Sequence, residues 1–265
     1  MSDPSQAVNQ RECIFCGRKP VTAEHVWPDW SRRMLQDDVV LAHTVSAETP
    51  VAPPSSRTFP QRVFDQRAKV VCASCNSGWM SRLEMLNRPF LEAALQGRGR
   101  VLHEAGQRAL AAWAFKTALI INHGVFRAHR TGLPLAHARH LFETGQPPEG
   151  VGIWLTAYTG EEPARVMSAG MAIGGPGERV TDDNDPNFSI VTFTFGPLAF
   201  QIAGAANPDT IGIVPAEIRF PVRVIRRLWP YRSTFTWTPI PALDGRGLDD
   251  FATRIYDELL RLTGS

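Results

Sequence analysis

The chain lacks any apolar run of membrane-spanning length. Its most apolar stretch, Leu110 to Ile121, is short and interrupted by Lys116, whereas a spanning helix needs about 20 apolar residues. No membrane partner is therefore expected. The N-terminus, MSDPSQAVNQRE, has no basic-then-apolar leader pattern, so a cytoplasmic location is the expectation. Internal repeats are absent as well, and a stacked-repeat architecture is not expected. Charge of one sign is also scarce: 28 Lys and Arg against 26 Asp and Glu leave a net charge of +2. That balance permits a polyanionic partner without demanding one. Cysteine is scarce too, with four residues in the whole chain. All four fall in two Cys-x-x-Cys pairs, a pattern that in a reducing compartment favours metal over disulfide.

What is present suits a folded protein. The 265 residues are 43% hydrophobic and 20% charged, enough for one large domain or two small ones with a real core. Most cations are Arg, the better shape for bidentate phosphate contacts. After a polar tail at 1–10, Cys13 to Gly17 reads as a tight turn, and Lys19 to His25 as a strand. Pro28 sits where a helix can start, with Asp29 to Gln36 supplying two turns. Thr49 to Pro60, rich in Ser, Thr and Pro, reads as a surface excursion. Val63 to Val71 is a second strand. Asn76 or Ser77 is placed to cap a helix towards Leu95, with Pro89 expected to kink or end it.

Gly97 to Gly99 marks a boundary, giving a module at 10–97 and an α+β region at 100–265. In the second region Gln107 to Ile121 is apolar on nearly every face and reads as a buried helix. Ala136 to Phe142 is a shorter one. Strand-like runs follow at Gly152 to Tyr158, Val166 to Ile173, Asn187 to Phe195, Leu198 to Ala203 and Ile218 to Leu228, several separated by Gly and Pro. A last amphipathic helix carries Leu248, Phe251, Ala252, Ile255, Leu259 and Leu262 on one face. The whole reads as α+β with mixed helices and antiparallel sheet.

Cys13 and Cys16, followed some 55 residues later by Cys72 and Cys75, have the spacing of a closed tetrahedral zinc site with four thiolate ligands. Two disulfides or free buried thiols are the alternatives. A zinc staple here performs no chemistry; it brings the start of the first strand to the end of the second. His25 and Asn76, distant in sequence, then become neighbours, with Glu24 beside them.

Cys13-x-x-Cys16, Glu24-His25-Val26-x-Pro28 and Cys72-x-x-Cys75-Asn76 together resemble the HNH endonucleases of the ββα-metal (His-Me finger) class. The likeness covers residues 10–90 only. It implies a treble-clef-like ββα module with structural Zn2+, acting on DNA as a metal-dependent phosphodiesterase. It further implies His25 as the general base. Glu24 and Asn76 would hold a catalytic Mg2+ or Mn2+, with Asn76 replacing the family's more common final His. Two features depart from the pattern. Glu24 stands where Asp is usual, and no asparagine lies between His25 and Asn76 to orient the histidine. Gln66 or Arg67 falls nearest that place: Gln66 offers a similar amide, and Arg67 suits the scissile phosphate. The alternative is a catalytically inactive zinc-stabilised module that binds nucleic acid or protein.

Other signals are weaker. Arg32 and Arg33, close after His25, are candidates for phosphate contacts together with Arg67. Arg219, Arg223, Arg226 and Arg227 beside Trp229 and Tyr231 suggest a phosphate-binding strip, although a strand with one solvated face explains them better. His137 and His140 read as exposed, Trp27, Trp30 and Trp79 as core, and Glu84 as an i,i+4 partner of Arg88.

Overall fold

A computed structural model describes residues 11–35, 39–47, 55–125, 133–174, 186–211, 214–215, 218 and 224–263. The expected tail at 1–10, residues 49–54 of the expected excursion, and Arg219 and Arg223 lie outside them. In chain order the elements are β1 (Thr22–His25), a 3-10 turn (Asp29–Arg33), β2 (Val39–Ala47), β3 (Ser55–Arg62) and β4 (Arg67–Val71). A short α1 (Ala73–Cys75) runs through a π turn (Asn76–Met80) into α2 (Ser81–Leu95), followed by β5 (Arg100–Leu102). Next come α3 (Glu104–Ile120), which continues into a second π turn (Ile121–Val125), and α4 (Leu135–Thr144). The strands β6 (Gly152–Ala157), β7 (Val166–Met171), β8 (Phe188–Phe195) and β9 (Leu198–Ala205) precede α5 (Pro208–Ile211). The chain closes with β10 (Arg226–Trp229), β11 (Phe235–Trp237) and α6 (Gly245–Thr263). The fold is α+β. Among the described residues no helix is long and apolar enough to cross a membrane.

One seven-stranded sheet, in the order β10-β6-β9-β8-β7-β2-β3, dominates. Its pairs are antiparallel except β2 with β7, which run parallel. Strands β8 and β9 are buried along their whole length, and their period-2 alternation serves two cores. Val191, Phe193 and Phe195 of β8, with Leu198, Phe200 and Ile202 of β9, face the larger core. Phe188, Ile190, Ala199 and Ala203 face the smaller one, closed by Leu248, Phe251 and Ile255 of α6. Helix α3 fills the larger core because almost none of its faces is polar. Its Trp113 ring lies 5.4 Å from Phe195 and 5.6 Å from Phe200. Side chains of this size contribute roughly 2–3 kcal/mol each when fully buried.

The first strand is tied to this core directly. Trp27, two residues after His25, stacks 5.8 Å from Phe195 and tilts 5.7 Å from Phe193. Its indole N–H donates to Gln66 Oε1 at 2.6 Å, and Gln66 Nε2 reaches Ala164 O at 3.4 Å. Trp30 and Trp79 pack against the same core, half-buried.

Several expectations change. Ser55 to Pro60 belong to β3 and not to a surface excursion, because residues 55–62 pair in unbroken antiparallel register with β2. Pro89 does not end the helix: α2 runs on to Leu95, and the non-helical break falls earlier, at Gly78 (φ −92°, ψ −110°). The helix starts earlier than Asn76. Cys72 is its N-terminal flanking residue, and its carbonyl accepts the N–H groups of both Cys75 and Asn76 at 3.1 Å. Glu84 pairs with Lys116 of α3 at 3.1 Å, not with Arg88, which pairs with Glu92 instead. The expected strand at Ile218 to Leu228 is represented by β10, from Arg226. His137 is half-buried, not exposed, whereas His140 is exposed.

Candidate functional site

Two tight turns bring the cysteines together. In the first, Gly17 N donates to Cys13 O at 2.8 Å and Cys13 N to Arg18 O at 3.0 Å. Gly17 takes φ +74°, the left-handed conformation that favours glycine. The second is the start of α1 after β4. A backbone bond joins the two segments: Ile14 N donates to Val70 O at 2.9 Å. All four Sγ atoms consequently lie within 4.8 Å of one another, and Cys16 and Cys72 Sγ are 3.5 Å apart.

A tetrahedral ion with metal–sulfur bonds of about 2.3 Å sets its sulfurs about 3.8 Å apart, so the cluster must contract by no more than about 1 Å. Four soft sulfur donors and no open position fit a closed metal site. Their protonation differs. Burial raises the Cys72 thiol, but the Cys75 backbone N–H and bonds from Cys16, Cys75 and Cys13 outweigh it and bring the pKa down to about 7. Burial drives Cys13 and Cys75 upward; at Cys75 it prevails over the lowering contact from the Trp79 side chain.

Strand β1 pairs antiparallel with β4, setting Thr22 opposite Val71, Glu24 opposite Ala68 and His25 opposite Arg67. Because the cluster fixes Cys75, Asn76 reaches back to β1, and its Nδ2 donates to Glu24 Oε2. Glu24 Oε1 accepts from the Thr22 hydroxyl, which also reaches Val71 O at 3.1 Å. The carboxylate is thus held on both oxygens.

His25 has different company. Its Nε2 lies 3.2 Å from an Arg32 guanidinium nitrogen and accepts from it, while Arg32 Nε donates to Asp29 at 2.6 Å. Burial first, then the positive charges of Arg67 and Arg32, lower the histidine pKa below its ordinary value. The ring is therefore neutral near pH 7, with its proton on Nδ1 when Arg32 is bonded to Nε2. Among the described residues no hydrogen bond joins His25 to Glu24 or Asn76.

Gln66 is not an orienting amide for His25. It is fully buried and bonded to Trp27; the restraint on the imidazole comes from Arg32. Arg33 and Arg67 are exposed. In the other basic strip, Arg226 is exposed, whereas Arg227 is half-buried, bonded to Ile218 O and 5.8 Å from the Trp154 ring. Thr22 was not singled out by the sequence, although its i,i+2 spacing from Glu24 places both side chains on one face of a strand.

No family model matches the chain, and no curated protein or solved structure matches it.

Proposed function

We propose that this chain is a metal-dependent endonuclease of the HNH type, hydrolysing DNA phosphodiester bonds. The reactive groups sit in a ββα-metal, treble-clef-like module whose four cysteines hold structural zinc. The observation that carries this reading is the Asn76–Glu24 contact, made one residue along β1 from His25 and across the junction that the cysteine cluster closes.

Each group has a chemical task. Glu24 and Asn76 are the residues that would hold Mg2+ or Mn2+; turning the Asn76 amide over sets Oδ1 beside the carboxylate, giving two oxygen donors for a hard cation. That cation supplies charge neutralisation at the phosphate. Thr22 keeps the Glu24 carboxylate from swinging away. His25 removes a proton from the attacking water as its oxygen bonds to phosphorus and the P–O3′ bond breaks. Its Nε2 is free for that proton once Arg32 gives its N–H to a phosphate oxygen, a favourable exchange for a guanidinium.

The second reading, an inactive zinc-stabilised module that binds nucleic acid or protein, is favoured by one observation: the buried Gln66 amide serves Trp27 and leaves His25 to an arginine. Plasmid nicking with Mg2+ or Mn2+ separates the two. Wild type is expected to nick, and His25→Ala, with its zinc content unchanged, to lose at least about 100-fold, as removal of a general base does. Equal behaviour of the two proteins would rule out the nuclease.

A further inference from the structure

Beside the reactive corner, the outward face of the β1–β4 ribbon carries charge of one sign. Strand β4 alternates exposed and buried side chains at Arg67, Ala68, Lys69 and Val70, so Arg67 and Lys69 point the same way. Two residues along a strand is about 6.8 Å. His25 is directly opposite Arg67, and the register shift between Thr22 and Glu24 leaves small, exposed Ala23 facing solvent near Lys69. Of the neighbouring carboxylates, Asp29 is bonded to Arg32, Glu24 to Thr22 and Asn76, and Asp65 is exposed at the turn before β4. Among the described residues neither Arg67 nor Lys69 forms an ion pair.

The face is also rigid from behind. Ala68 and Val70 point inward onto the π turn after α3, where Gly124 approaches so closely that an added Cβ would lie 2.2 Å from Ala68 Cβ and 3.4 Å from Val70 Cγ2. Two exposed cations on one face of a braced strand are placed for a repeating anion.

We propose that the outward face of β4 is a phosphate track: Arg67 and Lys69 take neighbouring phosphates of one nucleic-acid strand and lay that strand past His25. This rests on the nuclease reading and adds a direction to it. Arg32 serves the imidazole, whereas Arg67 and Lys69 serve the backbone. Lys69, as a point charge on a flexible stem, positions the strand without reading its sequence.

The test is binding, not cleavage. Fluorescence anisotropy is measured with full-length His25→Ala protein and a labelled DNA oligonucleotide between about 50 and 200 mM salt. Lys69→Gln is expected to reduce the slope of log affinity against log salt by about one and to weaken binding equally for unrelated sequences, with the same loss for Arg67→Gln. Lys69→Arg restores the slope, and Arg254→Gln, an exposed change on α6, leaves it alone. Wild-type slopes in both track variants would overturn the proposal. So would competition by polyglutamate as effective as that by unlabelled DNA, since the face would then bind any polyanion. If the wild-type protein fails to nick plasmid while the track variants still lose slope, the track stands and the nuclease reading falls.

Discussion

Gly124→Ala sets two physical effects of opposite sign against each other. Gly124 is in the π turn that continues α3, and its φ is outside the left-handed region. On backbone entropy alone, alanine there is expected to stabilise the protein by roughly 0.5–1 kcal/mol. The packing says otherwise. A Cβ at Gly124 would sit 2.2 Å from Ala68 Cβ and 3.3 Å from Ala68 Cα, against an optimal carbon–carbon separation of about 3.5–4.0 Å. Neither neighbour is the tip of a flexible side chain, so β4 or the turn must retreat by more than about 1 Å. Overpacking of that kind costs about 1–3 kcal/mol. The net loss is about 1–2 kcal/mol, or roughly 2–8 °C in Tm for a chain of this size. Thermal and urea unfolding measure it, and at unchanged m-value the urea midpoint should fall. Because β4 carries Arg67 opposite His25, nicking should weaken by more than stability alone explains. A variant that melts higher than wild type would refute the close approach.

Three further outcomes follow from contacts elsewhere. If the four cysteines hold zinc as proposed, a chelator or Cys75→Ser is expected to abolish one equivalent of bound metal, lower Tm, and change the near-ultraviolet signal of Trp79, whose ring stands 5.0 Å from Phe15. In the Lys116–Glu84 pair, Lys116 is 1% exposed and Glu84 25%. Glu84→Gln, which strands a buried ammonium, should cost about 2–3 kcal/mol, and Lys116→Met less than about 1.5 kcal/mol; the reverse order in denaturant titrations would contradict the burial. The buried Nδ1 of His137 has no hydrogen-bond partner among the described residues, and burial, helped by the nearby His140, takes its pKa down to about 4. A folded pKa below the unfolded value of about 6.5 gives stability that is complete above that pH and lost as pH falls towards 4. Wild type should lose roughly 2 kcal/mol across that window, and His137→Phe should flatten the profile.

The cysteine cluster was legible because its signal is local. Two short pairs, each biting one edge of an ion, need no knowledge of the rest of the chain. The helices followed for a similar reason: a continuous apolar run marked α3 and one-face periodicity marked α6, both close to their observed bounds. Strand pairing is not local. Nothing in the run Ser55 to Pro60 announces that it pairs with β2, or that β2 then runs parallel to β7. The roles of Gln66 and Glu84 were hidden for the same reason. Each is decided by a partner far along the chain: Trp27 for Gln66, Lys116 for Glu84. Pro89 misled because proline disfavours helix interiors in general, yet α2 continues through it and yields at Gly78. At the candidate site, Glu24, His25 and Asn76 were legible from type and spacing, whereas the hold of Arg32 on the imidazole required the 3-10 turn at Asp29–Arg33 to be in place.

The central claim is that Glu24 and Asn76 form one cation site serving His25. A double-mutant cycle under single-turnover conditions tests it most directly, with cleavage of a DNA oligonucleotide in Mg2+ measured for Glu24→Gln, Asn76→Ala and the pair, zinc content being equal throughout. Groups acting as one unit lose function non-additively, so each single change should remove most of the activity and the pair little more than either. Losses that multiply, or single variants that cleave like wild type, would contradict it.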